Sequence, residues 1–129
     1  MAQIKVYGRK ASIERHRTNL SKAIHSSVVE ALHYPQDKQF HRFIALSDSD
    51  FIFPDDRSDS YTIIEISMFI GRSSEAKKSL VRSLFANVER ECRIAPQDLE
   101  ITIFETPKEN WGIRGKCGDE LALGYTVNV

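Results

Sequence analysis

The chain has 129 residues and a mass of 14.8 kDa, with 41% hydrophobic and 28% charged residues, as expected for one soluble globular domain with a sizeable core. Lys plus Arg (18) balances Asp plus Glu (18), so no basic excess points to nucleic acid, and no apolar run approaches the roughly 18 residues of a membrane span. The first twenty residues lack an apolar signal region, and Cys92 and Cys117 are too few for a disulfide scaffold; the expectation is a cytoplasmic chain with two free thiols and no nucleic-acid or membrane partner.

In chain order, the sequence repeats itself. A short strand is predicted at Gln3 to Tyr7, ending in Gly8-Arg9. Ser12 is a plausible helix N-cap, because a serine oxygen accepts an otherwise unpaired N–H, and Glu14 suits the first turn. Ile13, Leu20, Ile24 and Ala31 share one face of the helix that follows. Pro35 comes just after it, where a proline is common, and a second strand is predicted at Phe40 to Leu46. A polar link follows from Ser47 to Ser60, with a short strand expected at Phe51 to Phe53.

The second half matches the first at a constant offset. Ser73-Ser74-Glu75 answers Ser12-Ile13-Glu14, and Pro96-Gln97-Asp98 answers Pro35-Gln36-Asp37, both shifted by 61. Ile70-Gly71-Arg72 resembles Tyr7-Gly8-Arg9, with two extra residues in the first copy. The predicted strand Tyr61 to Ile70 is apolar on both faces, as for a strand covered on both sides. A helix with Leu80, Val81, Leu84, Phe85 and Val88 on one face follows, then a strand at Leu99 to Phe104. The tail, 107–129, reads as a loop with a terminal strand near Leu121 to Val127.

The predicted architecture is therefore α+β. It is a single domain over 1–129, built from two fused β-α-β units (1–53 and 60–106), with parallel strands and a right-handed crossover in each. A four-stranded mixed sheet with two helices on one face leaves the other face bare, so a partner subunit is expected to cover it.

No familiar catalytic motif is present. His16, His25, His33 and His41 do not converge at ligand spacing, so no metal or cofactor is expected. Cys117 has neither a histidine nor a helix terminus beside it to activate a thiolate. The arginines are more informative. Arg72 lies between a strand end and a helix start, where an anion is favoured, although a plain surface charge fits the same position. Arg42 sits in an apolar strand, either at an edge or binding an anion. Arg57 lies in the acid-rich link and either binds an anion or pairs with Asp55 or Asp59. In Asn110-Trp111-Gly112-Ile113-Arg114-Gly115, Trp111 is either a packing anchor or a pocket wall beside Arg114.

Taken together, the fused units, Gly71-Arg72-Ser73-Ser74-Glu75-Ala76-Lys77-Lys78, Arg57-Ser58-Asp59-Ser60-Tyr61-Thr62, and Glu105-Thr106-Pro107 with Asn110-Trp111-Gly112 resemble the tautomerase superfamily. The subset is that of the long-subunit proteins related to malonate semialdehyde decarboxylase and cis-3-chloroacrylic acid dehalogenase. The resemblance implies a homotrimer with pockets near the start of the first strand, completed by neighbouring subunits. It implies chemistry on small carbonyl carboxylates: keto–enol isomerisation, decarboxylation or hydrolytic dehalogenation. It also implies an amino-terminal proline as the key group, and here that place holds Ala2. Removal of Met1 would leave a primary amine, with a reference pKa of about 7.7–8.0, able to act as a base or to form a Schiff base. Retention of Met1 would put the family mechanism in doubt, leaving a non-catalytic relative that binds a small anion. The resemblance gives Arg72 the role of binding the substrate carboxylate or the enolate charge, and places Trp111 on the pocket wall. Arg42, Arg57 and Arg114 are added on charge and position. Decarboxylase-like relatives carry a further arginine where this chain has Ile70, and a carboxylate near Asp37 and Lys38, so decarboxylation is the weaker expectation.

Overall fold

A computed structural model describes residues 2–129; the expectation attached to Met1 falls outside them. Strand β1 (Ala2–Arg9) alternates buried and half-buried residues, with Ala2, Ile4 and Val6 turned inward. It runs directly into helix α1 (Lys10–Leu32), and strand β2 (His41–Leu46) follows. The second copy repeats the order as β3 (Thr62–Phe69), α2 (Ser74–Cys92) and β4 (Leu99–Thr106). The strands form one sheet in the order β2-β1-β3-β4, with β1/β2 and β3/β4 parallel and β1/β3 antiparallel. The two β-α-β units are thus related by a pseudo-twofold between β1 and β3, where Ala2 faces Met68 and Gly8 faces Thr62.

Both helices bury their apolar stripes on the same sheet face. Leu20, Ala23 and Ile24 of α1 join Leu80, Leu84 and Val88 of α2 over Ile4, Val6, Ile64, Ile66 and Met68. Asn87 Nδ2 donates to Ser27 Oγ at 2.8 Å, a buried link between the helices. The helices also end alike. His33 and Arg93 each adopt a left-handed conformation, at φ 53° and 57°, and donate back to Val29 and Glu89. This capping turn normally selects glycine.

The structure corrects four expectations. Ser12 is not an N-cap: α1 begins three residues earlier, with Arg9 in the cap position and no side-chain cap bond. The two extra residues of the first copy are absorbed as helix, so Ser12 is buried inside it and Glu14 lies beyond the first turn. Ser73 does cap α2, accepting from Ala76 N at 3.1 Å. No strand forms at Phe51 to Phe53; a 3-10 turn (Asp48–Asp50) precedes this stretch, and the two rings pack against Tyr61 instead. No strand forms at Leu121 to Val127. The tail's regular structure is a short hairpin, β5 (Gly112–Ile113) with β6 (Lys116–Cys117), turned by Arg114 and Gly115 at positive φ. Finally, β3 is covered on one face only in the single subunit. The open face mixes Ile44, Ile63 and half-exposed Phe104 with Gln3, Lys5, Arg42, Glu65 and Thr102.

Candidate functional site

The site is assembled where β1 begins and α2 begins. The left-handed turn at His33 ends α1 and carries Tyr34 back across the start of β1. Ala2 N donates to the Tyr34 hydroxyl at 3.1 Å, with both residues almost fully buried. The Tyr34 ring meets Tyr125 edge-on at 5.0 Å. Tyr125 lies on the irregular segment 121–129, which crosses this end of the sheet.

From the other side comes Arg72. Gly71, at φ 141°, turns the chain from β3 towards α2 and delivers the arginine into the interior. Arg72 is only 5% exposed. Its Nη1 donates to the Phe69 carbonyl at 3.4 Å, while Nε and Nη2 have no hydrogen-bond partner among the described residues. Burial pushes the guanidinium pKa down, and Tyr125, Tyr34 and Glu105 oppose that shift. Burial likewise pushes the Tyr125 phenol up, reinforced by Tyr34 and opposed by Arg72. Glu105 pairs with Lys77 at 2.7 Å, so its charge is largely engaged elsewhere. A buried cation short of acceptors carries a desolvation cost that an incoming carboxylate offsets.

Trp111 frames the same end. Its Nε1 donates to Thr106 Oγ1 at 2.7 Å, and its ring meets Phe69 edge-on at 5.3 Å. Such aromatic pairs contribute roughly 0.5–1.5 kcal/mol beyond area burial. Trp111 therefore anchors the loop on Phe69, whose carbonyl accepts from Arg72. Arg114 lines a small cavity, about 50 Å³, with Tyr34, Lys38 and Tyr125. The structure thus brings Ala2, Arg72, Trp111 and Arg114 to one end of the molecule.

Arg42 and Arg57 are placed elsewhere in the subunit. Arg42 lies exposed on edge strand β2, on the open sheet face, 3.5 Å from Gln3 Oε1. Arg57 precedes β3, at the sheet end opposite Ala2. It pairs with Asp56 at 2.6 Å and Glu100 at 3.0 Å, rather than with Asp55 or Asp59. Tyr34 and Tyr125 belong to the site and are absent from the sequence-derived residues. No motif marks either. Tyr34 is flagged only by its place after a helix and before Pro35, and Tyr125 only by lying in a glycine-punctuated tail.

The chain is similar to known proteins along most of its length. A model of the tautomerase enzyme family matches residues 38–114, more than half of the chain. A probable tautomerase of Bacillus subtilis (strain 168), YusQ, is 25% identical over 116 residues, covering 86% of this chain and 91% of its own. FG41 malonate semialdehyde decarboxylase, solved inhibited by 3-bromopropiolate, is 25% identical. It superposes with a TM-score of 0.81, covering 94% of this chain and 98% of its own. A fused 4-OT solved as an asymmetric trimer shares the fold with a TM-score of 0.78 at 17% identity, covering 91% and 96%. Duplicated β-α-β units, the Gly71-Arg72 turn and the Trp111 loop are thus features of a chain that belongs to the tautomerase family.

Proposed function

We propose that the chain is a keto–enol isomerase of small carbonyl carboxylates, assembled as a homotrimer and active once Met1 is removed. The observation that carries this reading is the chain of contacts from the Ala2 nitrogen to the Tyr34 hydroxyl, and from the Tyr34 ring to Tyr125, which stands beside the buried Arg72. Family membership and the relatives named for tautomerase and malonate semialdehyde decarboxylase chemistry support it. Arg72 binds the substrate carboxylate or the developing enolate charge, and Arg114 adds positive charge at the cavity wall. The neutral Ala2 amine takes a proton from one end of the keto–enol unit. The electron pair shifts through the carbon–oxygen frame, and the ammonium returns a proton to the other end, so charge and atoms balance. Arg42 and Arg57, remote within one subunit, serve substrate binding in this reading only if a neighbouring subunit brings them to the pocket.

Ala2 in place of the proline favours a second reading, a non-catalytic relative that binds a small anion. The two are separated by assaying phenylenolpyruvate ketonisation with protein whose amino terminus is identified by intact mass. The isomerase reading predicts a rate above buffer that falls about 10²-fold in Arg72→Ala. Activity found only in Ala2→Pro supports the non-catalytic reading, and an Arg72→Ala rate equal to wild type contradicts the role of Arg72.

A further inference from the structure

We propose that Tyr125 is the hydroxyl that hydrogen-bonds the substrate's carbonyl oxygen beside Arg72, and that Tyr34 is the positioning residue that orients the Ala2 nitrogen. The inference rests on the isomerase reading and names residues within the same site. Four observations carry it. The Tyr34 oxygen accepts from Ala2 N at 3.1 Å. The Tyr34 and Tyr125 rings meet at 5.0 Å, which keeps both phenols at one edge of the pocket. Tyr125 interacts with both Tyr34 and Arg72, joining the nitrogen to the cation. Both phenols line the small cavity, together with Arg114 and Lys38.

The chemistry follows from what each group offers. Isomerisation needs a base at one end of the keto–enol unit and a donor at the oxygen where charge develops. The phenol pKa of Tyr125 is held high by burial, so it stays protonated and donates throughout the working pH range. It does not transfer its proton; it stabilises the enolate oxygen while the Ala2 amine carries the proton. Tyr34 is an acceptor for that amine and therefore favours its ammonium form. Arg114 and Lys38 line the cavity beside Tyr34 and oppose the ammonium, as does Arg72 from beside the two phenols, while Glu105 is held by Lys77. Removing the Tyr34 oxygen leaves those cations less opposed and shifts the amine towards neutrality.

The test uses full-length protein with Met1 removed, phenylenolpyruvate as substrate, and circular dichroism to confirm folding. Tyr125→Phe keeps the ring and is expected to lower kcat about 10²-fold with KM nearly unchanged. Tyr34→Phe is expected to move the acid limb of the kcat/KM profile to lower pH by about half to one unit. A kcat within twofold of wild type in Tyr125→Phe overturns the role of Tyr125, and an unmoved acid limb in Tyr34→Phe overturns that of Tyr34. Fluorotyrosine at position 125 keeps both ring and hydroxyl, and covers the case in which Tyr125→Phe fails to fold. A changed kcat supports donation to the substrate, and an unchanged one contradicts it. Wild-type protein with no rate above buffer overturns the isomerase reading itself, a result distinct from an active wild type with indifferent tyrosine variants.

Discussion

Arg9 and Arg72 hold the same place in the two halves of the repeat, yet their surroundings differ in kind. Arg9 finds carboxylates of its own chain, Asp59 at 2.6 Å and Asp48 at 3.6 Å, and lies over the Phe53 ring. Arg72 has a carbonyl and two phenols about it and is more deeply buried. Only the second copy therefore leaves an anion position for a ligand to fill. Ser12 shows the converse economy. Its hydroxyl is buried in α1 without a partner among the described residues, whereas its repeat-mate Ser73 caps a helix. An unsatisfied buried hydroxyl costs about 1–3 kcal/mol. Ser12→Ala is expected to stabilise the protein by about 1 kcal/mol in urea unfolding; a loss of stability would show that the hydroxyl is bonded. At this scale Arg72 is legible in the sequence because glycine, arginine and serine between a strand and a helix carry their own physics. Tyr34 and Tyr125 are not, since their meeting depends on a left-handed turn at a histidine and on a tail without regular hydrogen bonding.

Elements are read best where periodicity is long. The helices and the four main strands follow from apolar spacing, with strand boundaries shifted by one or two residues, outward where strands continue into polar flanks such as Arg9 and Thr106. The Phe51 to Phe53 stretch is apolar like a strand but lies in a proline- and aspartate-rich link, and ring packing on Tyr61 decides its path. The helix pair is joined by the polar link Asn87–Ser27, whose serine also donates to Ala23 O at 2.8 Å. Asn87→Ala leaves Ser27 Oγ without its donor inside the core and is expected to cost about 2 kcal/mol by thermal or urea unfolding. A cost below about 0.5 kcal/mol would show that the link contributes nothing net. Segment 121–129 is held differently, by Ser73 N donating to Val129 O at 2.9 Å and by Val127 against Phe69. It walls a cavity of about 50 Å³, room for a water or two and too small for an oxo acid.

At the scale of the whole molecule, duplication explains both the symmetry and its breaking. Two β-α-β units share one core, and the antiparallel pairing of β1 with β3 starts these strands at opposite ends of the sheet. The open face, with Lys5, Arg42 and Glu65 in one row across the strands, offers charged as well as apolar groups to neighbouring subunits in the proposed trimer. In the proposed isomerase, the start of β1 and Arg72 serve one pocket for a small carbonyl carboxylate. A crystal structure of the protein without Met1, in complex with a 2-oxo acid, tests it most directly. The expected density places the ligand carboxylate on the Arg72 guanidinium and its carbonyl between the Ala2 nitrogen and Tyr125. A ligand bound at Arg42 or Arg57 with the Arg72 site still closed would contradict it.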